Sequence, residues 1–198
     1  PVAEGLAALG LAETPTVVGF SYGCLIGAHL LDPLGGRVRQ FILVGSAGMG
    51  RFNQGRAELA RWRKVESPEE RWRLHRENLR ILMLHAPAAI DDLAVALQMR
   101  NTESATVAHR GAVRSARPEA ALARWRPRLA ALWGAEDALV SHYLDERIAV
   151  LRETDPTAPV ELLPGVGHWA QFEAAEAVNA FLLAAAGRLD QDGGGAAA

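Results

Sequence analysis

Apolar residues are distributed along the chain in two different ways. From Thr14 to Phe20 and again from Val38 to Ser46 they form nearly continuous runs, and between these lies a helix-like segment, Tyr22 to Leu31, ended by Asp32-Pro33 and the Gly35-Gly36 turn. A run such as Val38 to Ser46 suits a strand buried on both faces of a parallel sheet, and strand, helix and strand here predict one right-handed βαβ unit. Ahead of it, Val2, Leu6 and Leu9 share one face of a short amphipathic helix that Gly10 is expected to stop.

From Ala47 to about Ala123 the pattern changes to helices without intervening strands. One is predicted over Phe52 to Val65. Ser67-Pro68-Glu69-Glu70 has the form of an N-cap with proline at the first helical position. It opens a helix that reaches His85, with Trp72, Leu79 and Met83 among its apolar positions. Another begins near Ala88 and runs through Leu93, Leu97 and Met99 towards Arg100. Strand character returns at Leu129 to Gly134 and at Pro159 to Pro164, separated by a helix containing Tyr143, Leu144 and Ile148. The loop Gly165 to Trp169 follows, then a final helix, Ala174 to Ala186. Asp190 to Ala198 is polar and then only Gly and Ala, the composition of a disordered tail.

Composition narrows the reading. With 198 residues, 49% of them hydrophobic, the chain can bury one substantial core that carries a subdomain at most. A formal net charge of −2 provides no global field for nucleic acid or an anionic membrane. Arg51, Arg56, Arg61, Arg63 and Lys64 alternate with Glu58, Glu66, Glu69, Glu70 and Glu77, which reads as solvated helix faces. Trp62, Trp72 and Trp125 read as packing of small helices over a sheet, and Cys24, the single cysteine, as a small buried residue. No stretch approaches the about 18 apolar residues of a membrane span, and no signal peptide opens the chain, so the expected location is cytoplasmic. No glycine-rich nucleotide loop occurs and His29, His75, His85, His109 and His142 lack metal-ligand pairing, so neither a cofactor nor a metal is expected.

The first apolar run ends abruptly in Gly19-Phe20-Ser21-Tyr22-Gly23. A sharp strand-to-helix turn would hold the Ser21 hydroxyl clear of the backbone, and both glycines are expected to be needed because a Cβ on either flank would collide. Acyl transfer on a serine needs a base to take its proton and an acid to orient that base. In a parallel sheet, residues just after different strands converge on one edge. Asp137 follows the third strand and His168 the fourth, in the order Ser, Asp, His. Glu136 and Asp145 compete for the acid role, although Asp145 falls in mid-helix.

With these residues the sequence resembles the α/β-hydrolase family. The resemblance is carried by Gly19 to Gly23, by Trp133-Gly134-Ala135-Glu136-Asp137 and by Gly167-His168-Trp169-Ala170-Gln171-Phe172-Glu173, and spans about Pro1 to Ala186. Within the family, the last run and Ser46-Ala47-Gly48-Met49-Gly50 look most like the meta-cleavage-product hydrolases, which cut a carbon–carbon bond in diketo acids. The resemblance implies an α/β fold with four C-terminal strands of a parallel sheet and a helical cap insertion. Residues 1–46 and 124–187 would form the core, 47–123 the cap, and 188–198 the tail. It also implies Ser21 as nucleophile, His168 as base, Asp137 as the acid in the family's Gly-x-x-Asp pattern, and the Tyr22 backbone N–H as half of an oxyanion hole. The other half belongs on a loop after an earlier strand, and with Pro1 to Leu11 feeding directly into the elbow strand, that N-terminal portion is expected to be missing.

Phe20, Arg100 and Trp169 are the candidate substrate contacts; Phe20 stands where the carbon–carbon hydrolases often have asparagine. The function implied is serine-dependent hydrolysis of a small carbonyl substrate, an ester or the carbon–carbon bond of a diketo acid. A non-catalytic binding module and an inactive fragment of such an enzyme are the alternatives. The expected partner is the small-molecule substrate, with a homodimer left open, and neither nucleic acid nor membrane.

Overall fold

The run predicted to be buried on both faces lies inside a sheet. The computed structural model describes residues 2–9, 14–46, 58–105 and 118–192, the side chains only as far as 187. Four strands, β1 (Thr16–Phe20), β2 (Gln40–Val44), β3 (Arg128–Gly134) and β4 (Val160–Leu163), pair in that order, all parallel. Around them lie α1 (Val2–Ala8), α2 (Tyr22–Leu30), α3 (Pro68–Leu82), α4 (Asp92–Glu103), α5 (Pro118–Trp125), α6 (Leu144–Thr154), α7 (Ala170–Glu173) and α8 (Ala175–Asp192). This is an α/β fold built on a parallel sheet flanked by helices.

Every residue of β2 is buried, because strands pair on both of its edges and helices cover both of its faces. Its side chains alternate, as a strand requires. Phe41 and Leu43, with Leu129, Ala131 and Trp133 of β3, meet Cys24, Leu122 and Leu151 from α2, α5 and α6. Ile42 and Val44, with Ala130 and Leu132, meet Val178, Phe181 and Ala185 of α8. Cys24 is buried as expected, and its thiol donates to Gly19 O at 3.0 Å, which ties α2 to the end of β1. Leu122 places α5 in the first of these cores, so the expected cap boundary at 123/124 falls inside a helix that packs on the sheet side.

A third core lies between α3 and α4. Leu79, Leu84, Ile90, Ala94 and Val95 form it, and Trp169 and Phe172 from the segment after β4 pack against it. The helical layer therefore rests directly on the chain that carries His168.

Several expected helices are revised. α1 forms but buries none of its residues; Val2 and Leu9 are exposed, and Gly10 lies outside the described residues. Residues 58–65 are not helical, since the buried Asn78 carboxamide takes up both backbone groups of Ala60, accepting from its N–H at 2.8 Å and donating to its carbonyl at 3.1 Å. Residues 51–57 lie outside the described residues. Ser67 does cap α3, accepting from Glu70 N–H at 3.2 Å, but the helix ends at Leu82 rather than His85 because Glu173 claims the N–H groups of His85 and Ala86. The helix expected from Ala88 is broken: a 3₁₀ turn covers Pro87–Ala89, and Asp91 starts α4 by accepting from Ala94 N–H at 2.7 Å. In that register Ala94 and Val95 are buried while Leu93 and Leu97 are exposed.

Arg61, Arg63 and Lys64 do lie on solvated surfaces, while Arg51 and Arg56 lie outside the described residues. Arg61, Arg73 and Arg80 pair with Glu58, Glu70 and Glu77 at (i, i+3) spacing, in contacts that solvent screens. α8 continues to Asp192, into the stretch expected as tail, and 193–198 lie outside the described residues. Among the described residues no helix is long and apolar enough to cross a membrane.

Candidate active site

β1 ends at Phe20 and α2 begins at Tyr22, so the turn between them is Ser21 alone. Its backbone has φ 49° and ψ −113°, a region that costs a non-glycine residue about 1–3 kcal/mol. Surrounding structure over-determines it: Ser21 N–H extends the sheet ladder to Val44 O at 2.9 Å, and Cys24 N–H returns to Ser21 O at 3.1 Å. The two glycines of the motif are not equivalent. A Cβ on Gly19 would lie 2.7 Å from Cys24 Cα and 2.8 Å from Cys24 N, whereas one on Gly23 meets no heavy atom of the described residues within 4 Å. The expectation that both flanks forbid a side chain therefore holds for Gly19 only; Gly23, the second residue of α2, faces open space among the described residues.

Asp137 and His168 follow the ends of β3 and β4, as the parallel topology requires. His168 Nε2 lies 2.9 Å from Ser21 Oγ, and His168 Nδ1 lies 2.7 Å from Asp137 Oδ2. Asp137 is fully buried, and its other oxygen accepts from Leu139 N–H at 2.8 Å. A carboxylate can only accept, so for an ionised Asp137 and a neutral imidazole the Nδ1 proton points to Asp137 and the Nε2 lone pair to Ser21. Glu136 and Asp145, the competing acids, are exposed.

The remaining candidates divide. Phe20 is half-buried with its ring centroid 5.1 Å from that of His168, in direct contact with the imidazole. Tyr22 is the first residue of α2, so its N–H belongs to the helix end beside Ser21. Trp169 packs with Phe172 into the helical layer, and its N–H donates to Met83 O at 2.8 Å. Arg100 is exposed in the last turn of α4, in a shallow depression lined by Trp72, Met99 and Glu103 and by none of Ser21, Asp137 or His168.

Three contributors carried no sequence signal of their own. Gly45 adopts φ 52° at the end of β2, where a Cβ would press on Phe20 and on His168 Nδ1, at 3.3 and 3.4 Å. Gly134, read only as part of a motif, has no room for a Cβ: it would lie 2.2 Å from the carbonyl oxygens of both Val166 and Gly167. Arg147, in the middle of α6, is fully buried and donates to Ser46 O at 3.2 Å. Burial pulls its guanidinium down to about 10, against the opposing pull of Asp137, Glu119 and Glu146. It therefore remains a cation at neutral pH, buried within the field of the Asp137 carboxylate.

A model of the alpha/beta hydrolase family matches residues 2–181, a span that includes all four strands and Ser21, Asp137 and His168. The chain belongs to the alpha/beta hydrolase family. Among solved structures, this α/β-hydrolase resembles a protein from Burkholderia cenocepacia assigned as an aryl esterase, with a TM-score of 0.72 and 24% identity over 96% of this chain and 71% of the other. It also resembles 2-hydroxy-6-oxo-6-phenylhexa-2,4-dienoate hydrolase from Rhodococcus sp. strain RHA1, with a TM-score of 0.58 and 24% identity over 86% of this chain and 63% of the other. An esterase from Rhodococcus sp. ECU1013 matches with a TM-score of 0.58 and 20% identity over 87% and 65% of the respective chains. At these identities the likeness is one of fold, and the chain spans under two thirds of the length of the two Rhodococcus proteins. No curated protein matches the chain.

Proposed function

We propose that this α/β-hydrolase cleaves a small carbonyl substrate by a serine mechanism, with Ser21 as nucleophile, His168 as general base and then acid, and Asp137 orienting the imidazole. Family membership supports hydrolysis in general. The observation that carries the finer reading is the unbroken hydrogen-bond line from Asp137 through His168 to Ser21. Oγ of Ser21 attacks the carbonyl carbon while its proton passes to Nε2, giving a tetrahedral oxyanion. Collapse expels the leaving alkoxide, which takes that proton, and leaves an acyl-serine. Water then repeats the sequence, with His168 again the base, and releases the acid and free Ser21.

The developing oxyanion lies within reach of the N-terminal end of α2, where the Tyr22 N–H and the positive end of the helix macrodipole favour negative charge. A donor of this kind is worth on the order of 3 kcal/mol in other hydrolases. Phe20 favours an ester over a diketo acid: its ring stands against the imidazole and offers a keto acid no polar contact. α3 and α4, seated on Trp169 next to His168, supply the cap that excludes water from the acyl-enzyme. A purely binding protein would have no use for a strained serine aligned on a buried His–Asp pair.

A fluorophosphonate probe should label Ser21 in the full-length protein and leave Ser21→Ala unlabelled, and hydrolysis of p-nitrophenyl esters should fall by roughly 10⁴-fold or more in the variant. Equal labelling of the two proteins removes Ser21 from the nucleophile role.

A further inference from the structure

The backbone N–H groups of the residues on either side of His168, Gly167 and Trp169, are tied, directly or through one side chain, to a single distant stretch of chain. Trp169 N–H donates to Met83 O at 2.8 Å, and Gly167 N–H donates to Glu173 Oε2 at 2.7 Å. Glu173 in turn accepts from His85 N–H, at 3.0 Å and 3.2 Å on its two oxygens, and from Ala86 N–H on Oε1. The connector leaving α3, residues 83–86, is thus bound to the histidine loop from both sides of His168. The approach is close enough to require glycine: a Cβ on Gly167 would lie 2.8 Å from His85 N and 2.9 Å from Met83 O.

His168 needs this support more than its partners do. Ser21 is held in the β1–β2 ladder, and Asp137 follows β3, which pairs with strands on both edges. His168 follows β4, a four-residue strand at the edge of the sheet, and must keep 2.9 Å to Ser21 and 2.7 Å to Asp137 at once. Gly134 supports the loop from the sheet side; on the side of the helical layer Trp169 N–H is held by Met83 O, and Gly167 N–H by the Glu173 carboxylate.

We propose that Glu173 is a positioning residue, which sets the stand of His168 against Ser21 and couples it to the seat of the helical layer by accepting from Gly167, His85 and Ala86. The proposal rests on the roles given above to Ser21 and His168. The chemistry demands a carboxylate, because three N–H donors converge on two oxygens and neither oxygen can be replaced by a donor. In Glu173→Gln the amide NH₂ must face either Gly167 or the connector, leaving a donor opposed to a donor.

The test is Glu173→Gln in the full-length protein. The rate of fluorophosphonate labelling and kcat on p-nitrophenyl esters should fall by roughly 10–100-fold, with KM little changed. A second readout does not depend on the nucleophile: the downfield proton of the His168–Asp137 hydrogen bond, recorded by NMR in a Ser21→Ala background, should broaden or shift on Glu173→Gln. Wild-type labelling together with an unmoved proton overturns the proposal and leaves Ser21 as nucleophile. A proton that moves in a protein whose wild type never labels keeps the positioning role and removes the serine mechanism. Should Glu173→Gln fail to fold, Ala86→Pro deletes one connector donor at a backbone φ of −73° that proline accepts. It must slow labelling in the same way, and an unchanged rate there overturns the proposal.

Discussion

His75 lies in α3 against Trp62, with ring centroids 4.7 Å apart and neither ring nitrogen hydrogen-bonded among the described residues. Burial holds its pKa below the ordinary 6.5, with Glu103 pulling it up and Arg71 pushing it further down. The unfolded chain therefore binds a proton more readily than the folded one. Stability from this site is fully present above pH 6.5 and is lost as pH falls through the lower folded value. His75→Phe, which keeps the ring contact and removes the titration, should move the acid-unfolding midpoint to lower pH by circular dichroism; an unmoved midpoint shows that His75 plays no part in acid unfolding. Residue identity made Ser21, Asp137 and His168 legible, because each is a chemical type set at a turn or strand end. It gave no hint that His75 is buried with neither ring nitrogen hydrogen-bonded among the described residues, or that Arg147 sits buried in the field of Asp137, since neither belongs to a local pattern.

Element ends show the same division. The starts of α3 and α4 are set by side chains within three residues, Ser67 and Asp91, and such caps can be read from sequence. Only the first was anticipated; at the second, Asp91 and the preceding 3₁₀ turn interrupt what looks like one helix. The end of α3 depends on Glu173, 88 residues beyond His85, and the extended course at Ala60 on Asn78, 18 residues away. No window along the chain contains those partners. The β3 terminus carries a prediction at this scale. Gly134→Ala must displace the carbonyls of Val166 and Gly167, and with them His168 relative to Asp137. Fluorophosphonate labelling should fall by roughly 100-fold or more, as a displacement of about 1 Å can cost. Labelling at the wild-type rate in a folded Gly134→Ala protein shows that β3 does not set the histidine loop.

Across the whole molecule the sheet stands between two apolar layers, and its central strands carry the stability. Leu132 is fully buried against α8, so Leu132→Ala should destabilise the fold by about 2–5 kcal/mol, read as a lower midpoint in chemical denaturation with an unchanged slope. A loss under 1 kcal/mol shows that this layer can collapse around the cavity. The sequence alone determined the strands and the elbow, because apolar runs bounded by turn residues read as strands, continuous where both faces are buried as in β2, and a tight strand-to-helix turn demands a glycine such as Gly19. It also ordered Ser, Asp and His on one edge, since parallel strands all end on the same side. Tertiary structure decided the rest: that Asp137 rather than Glu136 or Asp145 faces the imidazole, that Ala94 and not Leu93 turns inward, and that Arg100 lies apart from the Ser21, Asp137 and His168 cluster. The physical reason is common to all three. Each depends on which atoms lie within a few ångströms across a packed interface, and those atoms come from parts of the chain that no local pattern connects.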